Sequence, residues 1–169
     1  MDRSNSQPYI IRVDTPRLTF AAAHFITFEG GGCEPIHGHD FRVVAELAAR
    51  LGPAEYTVDF TLVEKLLAEL IAPLDHHVLL PVEHPLMEME VDESAYDIRL
   101  GARRWLLPAE DCVLVPVANT TAEAMARFLG EQLLAALGRH SDAKLEWLAV
   151  EYHEGPGYSA RYRIEPTSD

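Results

Sequence analysis

The sequence predicts an α+β fold, and three observations support this prediction. Apolar residues alternate with polar ones near both ends of the chain, which is typical of strands. Two internal segments instead place apolar residues three and four positions apart, as amphipathic helices do. Because strands and helices are grouped along the chain, we expect an antiparallel sheet with both helices on one face. A single domain should span residues 1–169.

Two strands are predicted at the start of the chain. Residues 8–20 form the first, which residues 21–25 could extend, and Pro16 within it indicates an edge position or a bulge. The glycine-rich segment 26–38 is predicted to be irregular. Residues 40–50 form the second strand. Its apolar face would carry Phe41, Val43, Ala45 and Leu47.

Two helices are predicted in the middle of the chain. The first lies within the segment "TVDFTLVEKLLAELIAPLDHH", and Pro73 should end it. The second follows Asn119, with Thr120 or Thr121 as its N-cap and Glu123 assisting, because acidic side chains favour a helix N-terminus. The apolar stripe of the first helix carries Phe60, Val63, Leu66, Leu67, Leu70 and Ile71. That of the second carries Ala124, Phe128, Leu133, Leu134 and Leu137.

The remaining segments contain further strands. Two alternating strands close the chain around the Gly-Pro-Gly turn at 155–157. The segment 81–117, between the two helices, is predicted to be an insertion. Its stretch "AYDIRLGARRWLLP" indicates a β-hairpin that turns near Gly101, with Trp105 exposed unless it packs against another part of the protein.

Composition and charge restrict the possible classes of protein. Apolar residues make up 48% and charged residues 24% of the 169 residues, which is ordinary globular composition. A net charge of −13 argues against nucleic-acid binding, which needs clustered basic residues. We expect no membrane span, because no apolar run approaches ~20 residues, and no signal peptide. Two cysteines are too few for a disulfide framework, so a cytoplasmic location is expected.

Three histidines near the start of the chain predict a metal site. His37 and His39 are one residue apart, so on a strand both side chains point to the same face. His24 could complete a three-histidine zinc site with one open coordination position, as catalytic zinc sites have. Alternatively, these are hydrogen-bonded or surface histidines without a metal. Cys33 lies just upstream, where a nearby cation would favour its thiolate, although a simple buried thiol is the alternative. Cys112, in an apolar run, should only pack.

Two other sets of residues are candidates for function. Asp75 precedes His76 and His77, and a carboxylate bonded to an imidazole makes that histidine a better base. The alternative is a solvated loop. Glu151 lies in an otherwise apolar strand, and a buried carboxylate needs partners. It is therefore a candidate functional residue, with a structural ion pair to an arginine such as Arg161 as the alternative.

The order of these residues resembles the 6-pyruvoyltetrahydropterin synthase and 6-carboxytetrahydropterin synthase family. The pattern "AAH…C-x3-HGH…LDHH…TTAE…VEY" runs from about Phe20 to Arg163, except for 81–117. The resemblance implies the tunnelling fold, a four-stranded antiparallel sheet with two helices on one face. It also implies a homo-oligomeric ring, hexamer or tetramer, with active sites at subunit interfaces.

The resemblance also implies a role for each motif residue. The implied ligands of Zn²⁺ are His24, His37 and His39. The implied acid–base residues are Cys33 and, from a neighbouring subunit, Asp75 and His76. Glu151 would accept two hydrogen bonds from the 2-amino and N3 positions of a pterin, and Thr120 and Thr121 would contact the substrate.

The implied function is that of a zinc-dependent lyase acting on the side chain of a 7,8-dihydropterin, with dihydroneopterin triphosphate as the expected substrate. The spacing from Cys33 to the "HGH" unit resembles the bacterial 6-carboxytetrahydropterin synthases of queuosine synthesis more than the mammalian-type synthases of tetrahydrobiopterin synthesis. Some relatives cleave dihydroneopterin in folate synthesis with a glutamate in place of the cysteine. Glu34 is therefore either a second catalytic base, giving aldolase-type activity, or a solvated loop acid. A non-catalytic pterin- or metal-binding ring protein is the remaining alternative.

Glu34 after Cys33 is one departure from the family pattern, and the second is the long connection from His77 to Asn119, which carries the insertion at 81–117. Packing between subunits is the role expected first, because a short hairpin is rarely stable by itself. The insertion could instead cover the mouth of the active site, or supply Arg103 and Arg104 to substrate phosphates.

Overall fold

The computed structural model describes residues 7–92 and 94–166. Glu93, inside the predicted insertion, and the ends of the predicted domain, 1–6 and 167–169, lie outside the described residues. The first five strands are β1 (Tyr9–Val13), β2 (Thr19–His24), β3 (His37–Ala49), β4 (Val78–Pro81) and β5 (Glu88–Val91). The next five are β6 (Ala95–Leu100), β7 (Arg103–Pro108), β8 (Cys112–Val115), β9 (Leu145–Gly155) and β10 (Tyr158–Ile164). The α-helices are α1 (Phe60–Ile71) and α2 (Ala122–His140).

Seven of the described strands form one mixed sheet in the order β10-β9-β3-β2-β4-β8, with β1 also pairing with β3. The pairs are antiparallel except for β2 with β4 and β4 with β8, which are parallel. The predicted α+β class is confirmed. The predicted number of four strands is wrong, because the predicted first strand is two strands and because β4 and β8, at the two ends of the insertion, extend the sheet beside β2. Their partners lie far away in the chain, so local patterns did not reveal them.

The predicted first strand, residues 8–20, is in fact two strands. A 3₁₀ turn at Pro16–Leu18 separates β1 from β2, and both pair with β3 along the same edge. Proline has no N–H to donate to a strand ladder, which explains the break. The second strand begins at His37, three residues earlier than predicted, so His37 and His39 are both strand residues.

The main hydrophobic core lies between the sheet and the two helices. The four predicted apolar residues of β3 are fully buried there, as are Val63 and Leu67 of α1. Phe60 is 57% exposed, which corrects its place on the apolar stripe; it is the first residue after the N-cap Asp59. Helix α1 ends before Pro73, as predicted, in a short 3₁₀ turn.

The face of the sheet without helices carries a network of charges. Arg12 pairs with Glu46 at 2.8 Å, and Glu46 also pairs with Arg161. Arg42 pairs with Asp14 at 2.8 Å. Since side chains alternate between the faces of a strand, a residue in this network points away from the helices.

The insertion contains the predicted hairpin, β6 and β7, which turns at Gly101 with a positive φ of 58°. Strand β5 pairs with β6, giving a three-stranded inserted sheet. Trp105 is not free, because it stacks on Phe25 with ring centroids 5.0 Å apart. The inserted sheet therefore packs on its own chain. Among the described residues, no helix has both the length and the apolar character required to cross a membrane.

Candidate active site

The structure brings the three predicted metal ligands together. Strand pairing sets His24, the last residue of β2, directly opposite His37, the first residue of β3. The ring centroid of His24 lies 4.8 Å from that of His37 and 5.3 Å from that of His39. One ring nitrogen of each histidine lies within 4.8 Å of those of the other two. This is the only such cluster of three or more ligand residues in the described part of the chain.

Backbone carbonyls orient two of these rings. Nδ1 of His24 lies 2.9 Å from the carbonyl oxygen of Thr120, and Nδ1 of His37 lies 3.0 Å from that of Pro35. A carbonyl only accepts, so each Nδ1 carries a hydrogen, and in the neutral form of either ring Nε2 keeps the lone pair that a metal needs. Histidines that bind metals usually donate their other ring N–H in this way.

The buried ring nitrogen of His24 tests whether these residues fit a metal ion. His24 is only 1% exposed, and its Nε2 has no hydrogen-bond partner. Burial lowers the pKa of His24 to about 4, so its ring is neutral at pH 7, as a ligand must be. Burial also lowers the pKa of His39. Three imidazoles grouped around one orphaned acceptor nitrogen fit a divalent cation such as Zn²⁺.

The metal-free protein should lose stability in mild acid. The folded pKa of His24 is below its unfolded value of 6.5, so between these two pKa values the unfolded chain binds more protons. Lowering the pH from about 7.5 to about 5 should reduce the free energy of unfolding by about 2 kcal/mol through His24 alone. Urea denaturation in a chelator measures this change, with His24→Asn as the comparison. An equal loss in that variant would contradict the assignment.

The segment 26–36, which we call the Cys33–Glu34 loop, lies next to the histidines. Oε2 of Glu34 is 3.8 Å from Nε2 of His37. Cys33 is half-buried, and its Sγ donates to the Glu34 carbonyl oxygen at 3.3 Å. Burial raises the pKa of the Cys33 thiol, while the positive charge of Arg103 acts in the opposite direction. Cys112 is half-buried in the apolar cluster that also contains Phe25, as expected for a packing residue.

Asp75 and His76 form a hydrogen-bonded pair that is separate from this loop. Oδ1 of Asp75 accepts from the backbone N–H of Ala21 at 2.9 Å and lies 2.9 Å from Nδ1 of His76. The bond from Ala21, followed by those from His76, lowers the pKa of Asp75. His76, with 81% of its side chain exposed, lines a cleft with Gly38. Within the described residues, no hydrogen bond or ion pair joins Asp75 or His76 to Cys33.

The structure does not bring Glu151 to the histidines. Glu151 lies on the face without helices, where it accepts from Ser159 at 2.8 Å and pairs with Arg12 at 3.7 Å. Its neighbour Tyr152 is fully buried on the other face, against Phe41. The expectation that Glu151 faces a substrate at this site is corrected, and its arginine partner is Arg12 rather than Arg161.

Glu154 is the carboxylate that sequence reasoning missed. It is two residues beyond Tyr152, so strand alternation places it on the same face as the histidines. The backbone of Ala122 hydrogen-bonds to it, but its Oε1 is buried and has no partner. Burial, followed by the negative charges of Glu123 and Glu34, raises its pKa. The alternation of "VEYHE" places Glu154 and Glu151 on opposite faces of β9, but it does not indicate which face meets the histidines.

The two predicted threonines have different surroundings. Thr120 is fully buried, and its hydroxyl donates to the carbonyl oxygen of Phe25 at 2.8 Å, so its structural contribution is to hold the end of β2. Thr121 is the N-cap of α2, accepting from the N–H of Ala124 at 3.3 Å. Thr121 and Glu154 both line an open cavity of about 510 Å³, together with the exposed ring of Phe28.

Known proteins share this architecture. The family model described as 6-pyruvoyl tetrahydropterin synthase matches residues 15–165. A Methanocaldococcus jannaschii protein, provisionally named as a 6-carboxy-5,6,7,8-tetrahydropterin synthase, is 31% identical over 86% of this chain and 90% of its own. The 6-pyruvoyl tetrahydropterin synthase of Plasmodium vivax superposes with a TM-score of 0.89, covering 95% of this chain and all of its own at 24% identity. Two variants of that protein, in which a catalytic glutamate is replaced by alanine or cysteine, match equally well at 23% identity.

The extent of the family match, with this fold, places the protein among the pterin synthases, which are enzymes of the lyase type. Within that class, the chain belongs to the 6-pyruvoyl tetrahydropterin synthase family.

Proposed function

We propose that the protein is a zinc-dependent lyase that cleaves the side chain of a 7,8-dihydropterin, with dihydroneopterin triphosphate as its substrate. The observation that carries this proposal is the convergence of three histidines on the orphaned Nε2 of His24, beside the Cys33–Glu34 loop. The name of the Methanocaldococcus jannaschii relative supports a 6-carboxytetrahydropterin product.

The cavity beside α2 supplies the recognition of the substrate. Glu154 offers a buried carboxylate oxygen with no partner, which matches the adjacent 2-amino and N3 donors of a pterin. An unpaired buried acceptor costs about 1–3 kcal/mol, and a bound donor would recover that free energy. Phe28 can cover one face of the ring, and Thr121 lies at the same wall. We therefore assign the anchoring role to Glu154 and not to Glu151.

Proton transfer is the task of residues from two subunits in this proposal. His24, His37 and His39 would hold Zn²⁺, which when bound supplies Lewis acidity toward the side-chain oxygens of the substrate. Cys33 takes a proton from the substrate side chain. Asp75 and His76 complete the site of a neighbouring subunit in a homo-oligomeric ring, a role that the exposure of His76 supports.

Aldolase-type cleavage of dihydroneopterin is the second candidate function. Its support is the position of the Glu34 carboxylate, 3.8 Å from His37, together with the catalytic glutamate described for the Plasmodium vivax enzyme. A non-catalytic pterin- or metal-binding ring protein is the third. Incubation with dihydroneopterin and with its triphosphate, followed by mass analysis of the products, distinguishes all three.

Replacing Cys33 with alanine should reduce kcat by about 10²–10⁴-fold while zinc content stays unchanged, because a general base contributes rate and not metal affinity. Turnover and metal content of the purified variant measure this. Cys112→Ala is the matched control, since Cys112 is also a half-buried thiol, and it should keep full activity. Full activity in Cys33→Ala would contradict the role of the thiol and favour Glu34 as the base.

A further inference from the structure

We propose that the inserted sheet, strands β5 to β7, positions the Cys33–Glu34 loop of its own chain, and that Arg103 is the main positioning residue. This inference rests on the proposed function of that loop. It assigns the insertion a task within the subunit, in place of the packing between subunits expected from the sequence.

The central contact joins β7 to the loop. Nη1 of Arg103 donates to the carbonyl oxygen of Glu34 at 3.0 Å. The same oxygen accepts from Sγ of Cys33 at 3.3 Å. When the thiol gives up its proton, this carbonyl still has the guanidinium as a donor. The backbone of the loop therefore keeps a hydrogen-bond partner through the catalytic cycle, and a positive charge stays beside the sulfur.

Arg103 differs from the other arginines of the inserted sheet. Arg99 and Arg104 both bind the carboxylate of Asp97, at 3.0 and 2.8 Å. Arg103 makes no ion pair among the described residues, and its hydrogen bond there is the one to Glu34. Its charge is therefore directed at the loop and is not neutralised within the hairpin.

Apolar packing supports the same arrangement. Trp105 of β7 stacks on Phe25, the residue after His24, at an interplanar angle of 16°. Ile98 of β6 is fully buried, and the cluster around it includes Cys33 and Ile36 from the loop. The insertion thus contacts both the residue that follows β2 and the loop that carries Cys33.

Further hydrogen bonds hold Thr27, near the N-terminal end of the loop. Nδ1 of His84, in the chain leading to β5, accepts from the N–H of Leu86, so its Nε2 carries the hydrogen and donates to the Thr27 hydroxyl at 3.0 Å. Asn119 donates to the Thr27 carbonyl oxygen at 2.9 Å. Thr27 forms a bridge with Cys33, so both ends of the loop are held.

The test compares Arg103→Gln with Arg104→Gln, an adjacent arginine on the same strand, and with Arg103→Lys, which keeps the charge. Hydrogen exchange of backbone amides in the 26–36 segment should be at least about tenfold faster in Arg103→Gln, because the loop loses an anchor. It should be unchanged in Arg104→Gln and partly restored in Arg103→Lys. Equal exchange in Arg103→Gln and Arg104→Gln would overturn the proposal, and this readout does not require the protein to have the proposed activity.

Steady-state kinetics of the same variants are the second test of this proposal. In Arg103→Gln, kcat should fall by at least about tenfold with KM within about twofold, and equally for dihydroneopterin and its triphosphate, because a misplaced base slows chemistry and not binding. A rise in KM confined to the triphosphate would instead assign Arg103 to substrate phosphates, and would overturn the positioning role. If the wild type turns over neither substrate, the proposed function fails, while the exchange experiment still decides whether Arg103 holds the loop.

Discussion

Replacing His24 with alanine is expected to abolish both metal binding and turnover. Loss of an outer-shell partner of a metal ligand typically costs about 10–100-fold in metal affinity, and loss of a ligand itself should cost more. His24 is also the histidine whose buried Nε2 has no hydrogen-bond partner, so its removal takes away the ligand atom with no other contact. Elemental analysis and zinc titration of the purified variant measure the effect, with circular dichroism to verify folding.

Two further variants make this experiment decisive. His39→Ala removes a ligand from a more exposed position and should lose zinc with less disturbance of the core, because His39 is only half-buried. His140→Ala removes an exposed histidine from the C-terminal end of α2 and should keep full zinc and activity. A full equivalent of zinc in both ligand variants would refute the metal site.

Replacing Glu154 with glutamine is expected to weaken pterin binding by at least about 30-fold. Removing one partner of a buried, hydrogen-bonded charge pair typically costs about 2–5 kcal/mol of binding free energy. Glutamine is uncharged and has one accepting oxygen, so it cannot replace the carboxylate opposite two donors. The free protein should be as stable as the wild type or more so, because burial and neighbouring acids already disfavour the Glu154 charge. Fluorescence titration with a pterin, kcat/KM and urea denaturation give the three measurements.

Glu151→Gln is the matched control, because it makes the same change three residues earlier on the same strand. Glu151 faces the charged side of the sheet and pairs with Arg12 and Ser159, so pterin affinity should change by less than about twofold. If Glu151→Gln loses the substrate and Glu154→Gln retains it, the assignment made from the sequence was right and the one made from the structure is wrong.

The difference between these two glutamates shows where sequence reasoning stopped. Alternation identifies two faces of a strand, but it does not say which face the helices cover. Both Val150 and Ala149 are buried, so the hydrophobic pattern of β9 was ambiguous, and Glu151 stood out for being surrounded by apolar residues. Only the packing of Tyr152 on Phe41 decides which carboxylate reaches the site.

Local spacing was sufficient for other parts of the site. His37 and His39 are separated by one residue, and on any strand that spacing aims both side chains at one face. The turn at Gly101 and the N-cap at Thr121 are likewise decided within a few residues. The carbonyl of Thr120 that orients His24 comes from 96 positions away, and no local pattern predicts such a contact.

By itself, the sequence determined the α+β class, the helices, the motif histidines and the family, because these depend on periodicity and on short spacings. The tertiary structure alone decided that β4 and β8 extend the sheet in parallel, that the inserted sheet packs on the Cys33 loop, and that Glu154 faces the histidines. These depend on which surfaces meet when the chain collapses, and burial is a property of the assembled layers rather than of neighbouring residues.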